Sequence, residues 1–143
     1  MEFRNEYFFL SNFYPAVVYG YSTVEHAYQA AKTTDAAERT KIRAARTPAE
    51  VKRLGRRVHL RPDWAGIKDM VMETLLRRKF KNYPALSRAL LETGKVELVE
   101  TNTWHDSYWG ECNCRKCPTG ENRLGKLLMK LRDEFAVSAN PLI

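Results

Sequence analysis

The stretch Ser22-Thr-Val-Glu-His-Ala-Tyr-Gln-Ala-Ala31 decides the fold class, because it combines a helix start signal with helical spacing of its apolar residues. Ser22 and Glu25 are the first and fourth residues of a capping box. In this motif each of the two side chains accepts a hydrogen bond from the backbone N–H of the other residue. The apolar residues that follow at helical spacing are Val24, Ala27, Tyr28 and Ala31. The stretch therefore predicts a helix that begins near Ser22.

More helices are predicted downstream, each from a capping residue or a proline near its start. Thr47-Pro-Ala-Glu50 is a second capping box with proline at the first helical position, and Gly55 can end that helix. The other predicted starts are Thr34 or Asp35, Pro62 and Pro84, and a last helix is expected to bury Leu124, Leu127, Leu128 and Leu131.

Short strands are predicted where aromatic and β-branched residues alternate with turn residues, near Phe3–Phe8, Ala16–Tyr19 and Val96–Glu100. The chain has 143 residues, of which 44% are hydrophobic, so it fits a single domain over residues 1–143. The fold class is therefore predicted as α+β, predominantly helical, with a small β-sheet.

The chain carries no evident membrane or export signal. No apolar run approaches the roughly 20 residues of a membrane-spanning helix. The first residues, Met1 to Glu6, lack the basic-then-apolar layout of a signal peptide. We therefore expect no membrane partner and a soluble, intracellular protein of the cytoplasm.

The formal net charge is +7, and the basic residues concentrate in Lys41–Arg61 and again at Arg77, Arg78, Lys79 and Lys81. Such an excess favours anionic partners such as phosphates, nucleotides or nucleic acid. For any single one of these residues, a solvated helical face is the ordinary explanation. The charge therefore indicates an anion without indicating which one.

A polar loop, Thr101–Gly110, contains two tryptophans, a tyrosine, a histidine and an aspartate. Indole faces stack on flat bases, and each such contact contributes about 1–3 kcal/mol. Alternatively, the tryptophans anchor a long loop on the core while Asp106 forms an Asx turn. Composition leaves both interpretations open.

Glu25 also has two interpretations. As the last residue of a capping box it needs no catalytic role. A carboxylate near a helix start can still face a cleft, and glycosidic hydrolysis generally needs carboxylates to activate water or to stabilise an oxocarbenium-like carbon. Glu25 and Asp106 are the candidate pair if their two segments meet.

Eight segments in order along nearly the whole chain carry a family resemblance. They are Phe9-Leu-Ser-Asn-Phe-Tyr-Pro15, Thr23-Val-Glu-His-Ala-Tyr-Gln-Ala-Ala-Lys32, Leu54-Gly-Arg56, Arg61-Pro-Asp-Trp64, Lys68, Leu98-Val-Glu100, Asp106-Ser-Tyr-Trp-Gly110 and Gly120-Glu-Asn-Arg-Leu-Gly-Lys-Leu-Leu-Met129. Three motifs among them are jointly specific, although none is specific alone: the Glu-His pair, the Asp-x-x-Trp-Gly segment and the Gly-x-Asn-x-Leu-Gly segment. With them the chain resembles the NADAR (YbiA-like) family of N-glycosidases.

The resemblance implies hydrolysis of the N-glycosidic bond of a ribosyl substrate, with no cofactor required for the chemistry. Some members of the family hydrolyse ribosylamino-pyrimidine phosphates of the early riboflavin pathway. Similar enzymes remove ADP-ribose from modified guanine in nucleic acid. The partner is thus expected to be a phosphorylated ribosyl metabolite or an ADP-ribosylated nucleic acid.

Carried over residue by residue, the resemblance implies catalytic roles for Glu25 and Asp106. The substrate-binding residues it implies are Asn12, Lys32, Trp64, Lys68, Trp109 and Asn122. Trp104 is added as a secondary candidate, because some relatives lack an aromatic residue there. Aromatic rings suit a base, and lysines suit a phosphate.

The cysteines depart from the family pattern, since Cys112-x-Cys114-x-x-Cys117 replaces a glycine-rich loop seen in other members. Three close thiols can bind zinc as a structural staple, with His105 as a fourth ligand. Against this, the spacing fits no standard zinc finger, and three reduced thiols of an intracellular protein are the alternative.

Two other functions stay open at the level of sequence. A module that binds ADP-ribose or NAD without turnover would use the same pocket. A basic nucleic-acid-binding domain would use Lys41–Arg61 and bind with a steep dependence on salt. Only the enzyme requires both carboxylates to be ionised and directed at the ribose C1′ carbon.

Overall fold

The computed structural model describes residues 2–139, and the chain divides into two compact units. One unit is Asn12–Tyr83, and the other joins Met1–Ser11 to Pro84–Ile143. That residues 1–143 form one domain stays a prediction.

The unit Asn12–Tyr83 is helical. Its helices are α1 (Val24–Ala31), α2 (Ala36–Ala44), α3 (Pro48–Arg57) and α4 (Trp64–Asn82). Helix α1 packs against α2, α3 and α4, and every residue from its start to Ala30 is buried. Helix α1 is therefore the central helix of this unit.

The other unit combines helices with a minimal sheet. It contains a 3-10 helix (Asn5–Leu10), α5 (Pro84–Glu92), β1 (Thr101–Asn102), β2 (Glu111–Cys112) and α6 (Arg123–Ala139). Strands β1 and β2 are parallel, with Thr101 opposite Glu111 and Asn102 opposite Cys112. Helix α5 packs on α6, and the fully buried leucines of this unit include Leu90, Leu98, Leu128 and Leu131.

The predicted fold class, predominantly helical α+β with a small sheet, is confirmed. The start of α3 is also confirmed, because the Thr47 hydroxyl accepts from the N–H of Glu50 at 3.1 Å and Pro48 occupies the first helical position. Asp35, one of the two residues considered, caps α2 through Oδ1, which accepts from the N–H of Glu38 at 2.9 Å.

The predicted start of α1 is wrong by one residue. The N-cap is Thr23, whose hydroxyl accepts from the N–H of His26 at 3.1 Å. The Ser22 carbonyl instead accepts from the N–H of Ala16 at 3.1 Å, which keeps Ser22 outside the helix. Glu25 is consequently not the capping partner at the fourth position. The predicted capping box of Ser22 with Glu25 is therefore wrong, because Thr23 is the cap.

The end of α3 is also different from the prediction, since the helix continues through Gly55 to Arg57.

The predicted strands are mostly wrong. Residues of Phe3–Phe8 enter the 3-10 helix, in which the N–H of Tyr7 donates to the carbonyl of Arg4. In Ala16–Tyr19 there is one isolated bridge, from Val18 to Tyr21.

The predicted strand Val96–Glu100 is displaced, since β1 begins only at Thr101. The Leu98 carbonyl and the Glu100 N–H bond instead to the side chain of Asn122, which is distant in sequence, and not to a neighbouring strand. Within residues 2–139, no helix combines the length and the apolar character needed to cross a membrane.

Candidate functional site

The carboxylate of Glu25 is buried on the first turn of α1, with 9% of the residue exposed. Its backbone N–H donates to the carbonyl oxygen of Asn12 at 3.0 Å. Its Oε1 accepts from Nε2 of Gln29, one helical turn further along, at 2.8 Å. The N-terminal end of a helix favours negative charge. The buried acid is thus held in place by a buried amide.

Asn12 adjoins Glu25 through that backbone bond and is itself buried. Its Nδ2 lies 3.5 Å from the sulfur of Met72. In the described part of the chain its Oδ1 has no hydrogen-bond partner. An unsatisfied buried acceptor costs about 1–3 kcal/mol, so this oxygen is a candidate for a hydroxyl or amine donor of a ligand.

Lys32 and Trp64 are brought together through a third residue, Tyr28. The rings of Tyr28 and Trp64 are 5.1 Å apart at an angle of 57°, and Nζ of Lys32 lies 5.8 Å from the centre of the Tyr28 ring. Trp64 is buried, with 7% exposed. Lys68 follows one turn later on α4 and is half-buried. Trp64 therefore packs in this unit, and its stacking on a base stays a prediction.

Lys79 corrects the interpretation of the basic segment as a solvated face. It is fully buried, and its Nζ lies 5.6 Å from the ring centres of Tyr14 and Phe80. Burial lowers the pKa of Lys79 to about 7. In the sequence Lys79 looks like its neighbours, so nothing there distinguished it.

Asp106 forms the Asx turn that was one of its two interpretations. Its Oδ1 accepts from the backbone N–H groups of Tyr108 at 3.0 Å and Trp109 at 2.9 Å. Its own backbone is held by Asn102, whose side chain bonds to both the N–H and the carbonyl of Asp106. The turn occupies Oδ1, so a catalytic role for this carboxylate falls to Oδ2.

The two tryptophans of the loop differ in exposure. Trp104 is 49% exposed, whereas Trp109 is half-buried and meets the ring of Tyr108 edge-on at 4.9 Å. The guanidinium of Arg123 lies 4.4 Å from the centre of the Tyr108 ring. Of the two, Trp104 has the more accessible indole face.

Asn122 is buried, and both the oxygen and the nitrogen of its side-chain amide bond to backbone groups. Its Oδ1 accepts from the N–H of Glu100 at 3.0 Å, and its Nδ2 donates to the carbonyl of Leu98 at 2.9 Å. Gly125 makes room for this contact, because a Cβ there would overlap the Leu98 carbonyl oxygen. The Gly-x-Asn-x-Leu-Gly segment therefore has a structural role.

The three cysteines and His105 lie close enough to bind a metal ion, with all their ligand atoms within 4.8 Å of one another. The Nδ1 of His105 is 3.2 Å from the sulfur of Cys117, 3.3 Å from that of Cys114 and 3.7 Å from that of Cys112. Tetrahedral zinc, with bonds of about 2.0–2.3 Å, places its ligand atoms about 3.5–3.8 Å apart.

The hydrogen bond between Cys114 and Cys117 shifts the pKa values of these two thiols in opposite directions. Hydrogen bonds from the Cys117 and Cys112 thiols lower the pKa of Cys114 to about 7. The same bond with Cys114 raises the pKa of Cys117 to about 12. The thiolate is the form that binds metals, so one ligand of the set is partly deprotonated at neutral pH.

Several sequence-predicted residues are thus brought together within each unit: Asn12 with Glu25, Lys32 with Trp64, and Asp106 with Trp109. Glu25 and Asp106 belong to different units, and their pairing stays a prediction. Gln29 was missed at the level of sequence, although its position one helical turn after Glu25 is a signal for a side-chain pair.

Comparisons with known proteins agree with the resemblance in the sequence. Residues 2–136 match the NADAR domain. N-glycosidase YbiA of Escherichia coli (strain K12) is 40% identical over 139 residues, covering 93% of this chain and 84% of that protein. Riboflavin biosynthesis protein VVA0006 of Vibrio vulnificus (strain YJ016) is 36% identical over 133 residues, covering 89% of this chain and 35% of that protein.

The fold is similar to the NMR structure of the E. coli protein YbiA. The TM-score is 0.81 at 36% sequence identity, with 97% of this chain and 86% of that chain covered.

Proposed function

The chain belongs to the NADAR domain family, and from this premise we propose that it hydrolyses the N-glycosidic bond of a phosphorylated ribosyl substrate. Its relatives are named N-glycosidases, and the chain is accordingly a hydrolase acting on N-glycosyl compounds. Two substrate classes fit: a ribosylamino-pyrimidine phosphate, and ADP-ribose attached to guanine in nucleic acid. The name of the Vibrio relative supports the first, and the net charge of +7 supports a polyanion.

The observation that carries this proposal is the environment of Glu25. Burying a carboxylate is costly, and a buried acid on the first turn of a helix suits a catalytic role. In the proposed reaction Glu25 takes a proton from water or stabilises positive charge at C1′ of the ribose. The water oxygen then bonds to C1′, the C1′–N bond breaks, and the base leaves with the bonding electrons and takes up the proton that the water lost.

We assign the second catalytic carboxylate to Asp106. Its Oδ1 is fixed by the turn, which would hold Oδ2 in one direction. Its proposed role is to orient the attacking water or the ribose.

The proposed substrate-binding residues divide by chemistry. Lysines 32 and 68 suit the phosphate, the tryptophans suit the base, and the Oδ1 of Asn12 suits a ribose hydroxyl. The full proposed set is Asn12, Lys32, Trp64, Lys68, Trp104, Trp109 and Asn122. Asn122 would act mainly by fixing the backbone of Leu98 and Glu100.

We also propose that the cluster of His105, Cys112, Cys114 and Cys117 holds a structural zinc ion. The donor set is of the Cys₃His type, and the distances between its ligand atoms suit a tetrahedral ion. One ligand lies in β2 and one lies after β1, so the ion would staple the short sheet to its loop. The glycosidic chemistry itself requires no cofactor.

The decisive experiment replaces Glu25 by glutamine. Glu25→Gln keeps the side-chain size and can still accept from Gln29, so unfolding free energy should change by no more than about 1 kcal/mol. The variant cannot act as a base, so kcat should fall by roughly 100-fold or more. The measurement is release of free base or of ADP-ribose in single turnover, with a ribosylamino-pyrimidine phosphate and ADP-ribosylated DNA as separate substrates.

Glu50→Gln is the matched control, because Glu50 lies in the first turn of α3, where Oε2 accepts from the N–H of Arg46. It should retain the parent rate. If Glu25→Gln turns over like the parent, the catalytic assignment of Glu25 is wrong. If the parent binds ADP-ribose and releases no base from either substrate, the non-catalytic binding module is the better description.

A further inference from the structure

Gly55 occupies a position where glycine is unfavourable by itself. It lies inside α3, where glycine is less stable than alanine by about 0.5–1 kcal/mol. Gly55 is buried, and a Cβ on it would overlap Oε1 of Gln29 and lie 2.6 Å from Cδ of Gln29. The glycine therefore makes room for one particular side chain, the amide of Gln29 on α1.

The two ends of that amide meet different groups. Nε2 donates to Oε1 of Glu25, while Oε1 lies against the backbone at Gly55. The opposite orientation would set an amide oxygen against a carboxylate, two acceptors with no proton between them. The hydrogen bond to Glu25 thus fixes which end of the amide faces Gly55, and the absence of a Cβ at Gly55 leaves room for that end.

This arrangement has a cost that packing does not explain. Gln29 is only 7% exposed, and in the described part of the chain its Oε1 has no hydrogen-bond partner. A methionine would fill a similar volume without burying an unsatisfied oxygen. What a methionine could not provide is the N–H bond to Glu25.

We infer that Gln29 is a positioning residue for the carboxylate of Glu25, and that Gly55 is required to hold Gln29 in place. The inference rests on the proposed catalytic role of Glu25. Gln29 binds one carboxylate oxygen and so restricts the rotamer of the acid. Misplacement of a catalytic group by about 1 Å can cost about 100-fold in rate.

The test is Gln29→Met, measured as steady-state kcat and KM together with thermal unfolding. We expect kcat to fall by about 10- to 100-fold with KM changed less than about threefold, because the acid and not substrate binding is affected. The melting temperature should change little, because the variant removes an unsatisfied oxygen but also removes the hydrogen bond to the buried Glu25, and these two effects oppose each other. A lower melting temperature with the parent kcat would show a merely structural role and would overturn the inference.

A second variant tests the space at Gly55. Gly55→Ala should lower kcat by displacing Gln29, whereas Gly66→Ala is the control, because a Cβ at Gly66 of α4 meets nothing within 4 Å. Parent kcat in a folded Gly55→Ala variant would overturn the role of Gly55. Should Gly55→Ala not fold, Gln29→Met decides alone.

The double variant separates this inference from the proposed function. With Glu25→Gln already present, Gln29→Met should slow the reaction less than about twofold, because Gln29 acts only through Glu25. If Glu25→Gln is as fast as the parent, the proposed catalytic role of Glu25 fails, and this inference fails with it. If Glu25→Gln is slow while Gln29→Met has the parent kcat, only the inference fails.

Discussion

Helix α1 and the loop between β1 and β2 each carry one proposed catalytic carboxylate, but different interactions hold them in shape. In α1, Glu25 lies among buried residues of a helix that packs against three others. In the loop, Asp106 is held by two hydrogen bonds between its backbone and the Asn102 side chain, and by its own Asx turn. A helix is fixed by apolar contacts along its length, whereas a loop is fixed by a few polar side chains that bond to the backbone.

The difference predicts which substitutions matter in each region. Loss of apolar volume should damage the helical unit, and loss of a single polar group or a metal ion should damage the loop. Tryptophans allow the same substitution to be made in both regions.

Trp64→Ala should have the largest effect on stability. The indole is buried against Tyr28, so its removal should lower the unfolding free energy by about 3–5 kcal/mol, with Trp64→Phe less damaging. Trp104→Ala is the control in the loop, where the residue is 49% exposed and a change within about 0.5 kcal/mol is expected. Urea unfolding followed by circular dichroism measures all three.

The packing role of Trp64 would be wrong if Trp64→Ala were as stable as the parent and lost substrate binding. That outcome would restore Trp64 to the base-stacking role predicted from the sequence.

The sequence could predict those parts of the fold that depend on contacts between residues close together in the chain. Thr47, Pro48 and Asp35 start helices as expected, because capping is a contact over three residues. The start of α1 could not be placed exactly, since the Ser22 carbonyl bonds to Ala16 across a turn. A capping-box pattern does not show which of two adjacent hydroxyls becomes the cap.

The candidate site shows the same limit. The sequence placed Asp106 in a turn or in a catalytic site, and the turn is present. It could not separate buried Lys79 from half-buried Arg77 and Arg78, or show that Asn122 bonds to backbone 24 and 22 residues away. Such contacts depend on how distant segments pack, which neither spacing nor composition specifies.

Removal of zinc should have an intermediate effect on stability, and this effect should arise in the loop and not in the helical unit. If the ion is bound at about 100 times its Kd, it contributes about 2.7 kcal/mol, so a chelator should lower the melting temperature by several degrees. Purified protein should contain about one equivalent of zinc.

Cys114→Ser is the control for chelation. It should begin with the lower melting temperature and respond little to the chelator, because one ligand is already missing. Metal-free protein with unchanged stability and activity would leave the cluster as three reduced thiols and a histidine.

Asp106→Asn should have the smallest effect on stability, and it asks whether the loop carboxylate does more than form a turn. Asparagine keeps Oδ1 for the N–H groups of Tyr108 and Trp109, so stability should change by less than about 1 kcal/mol. It removes the charge from the other oxygen, so kcat should fall by roughly 100-fold.

Asp106→Ala should lose the turn as well. An asparagine variant with the parent rate, beside an impaired alanine variant, would reduce Asp106 to a structural residue. If both carboxylates act as a unit, combining Asp106→Asn with Glu25→Gln should be little slower than either alone.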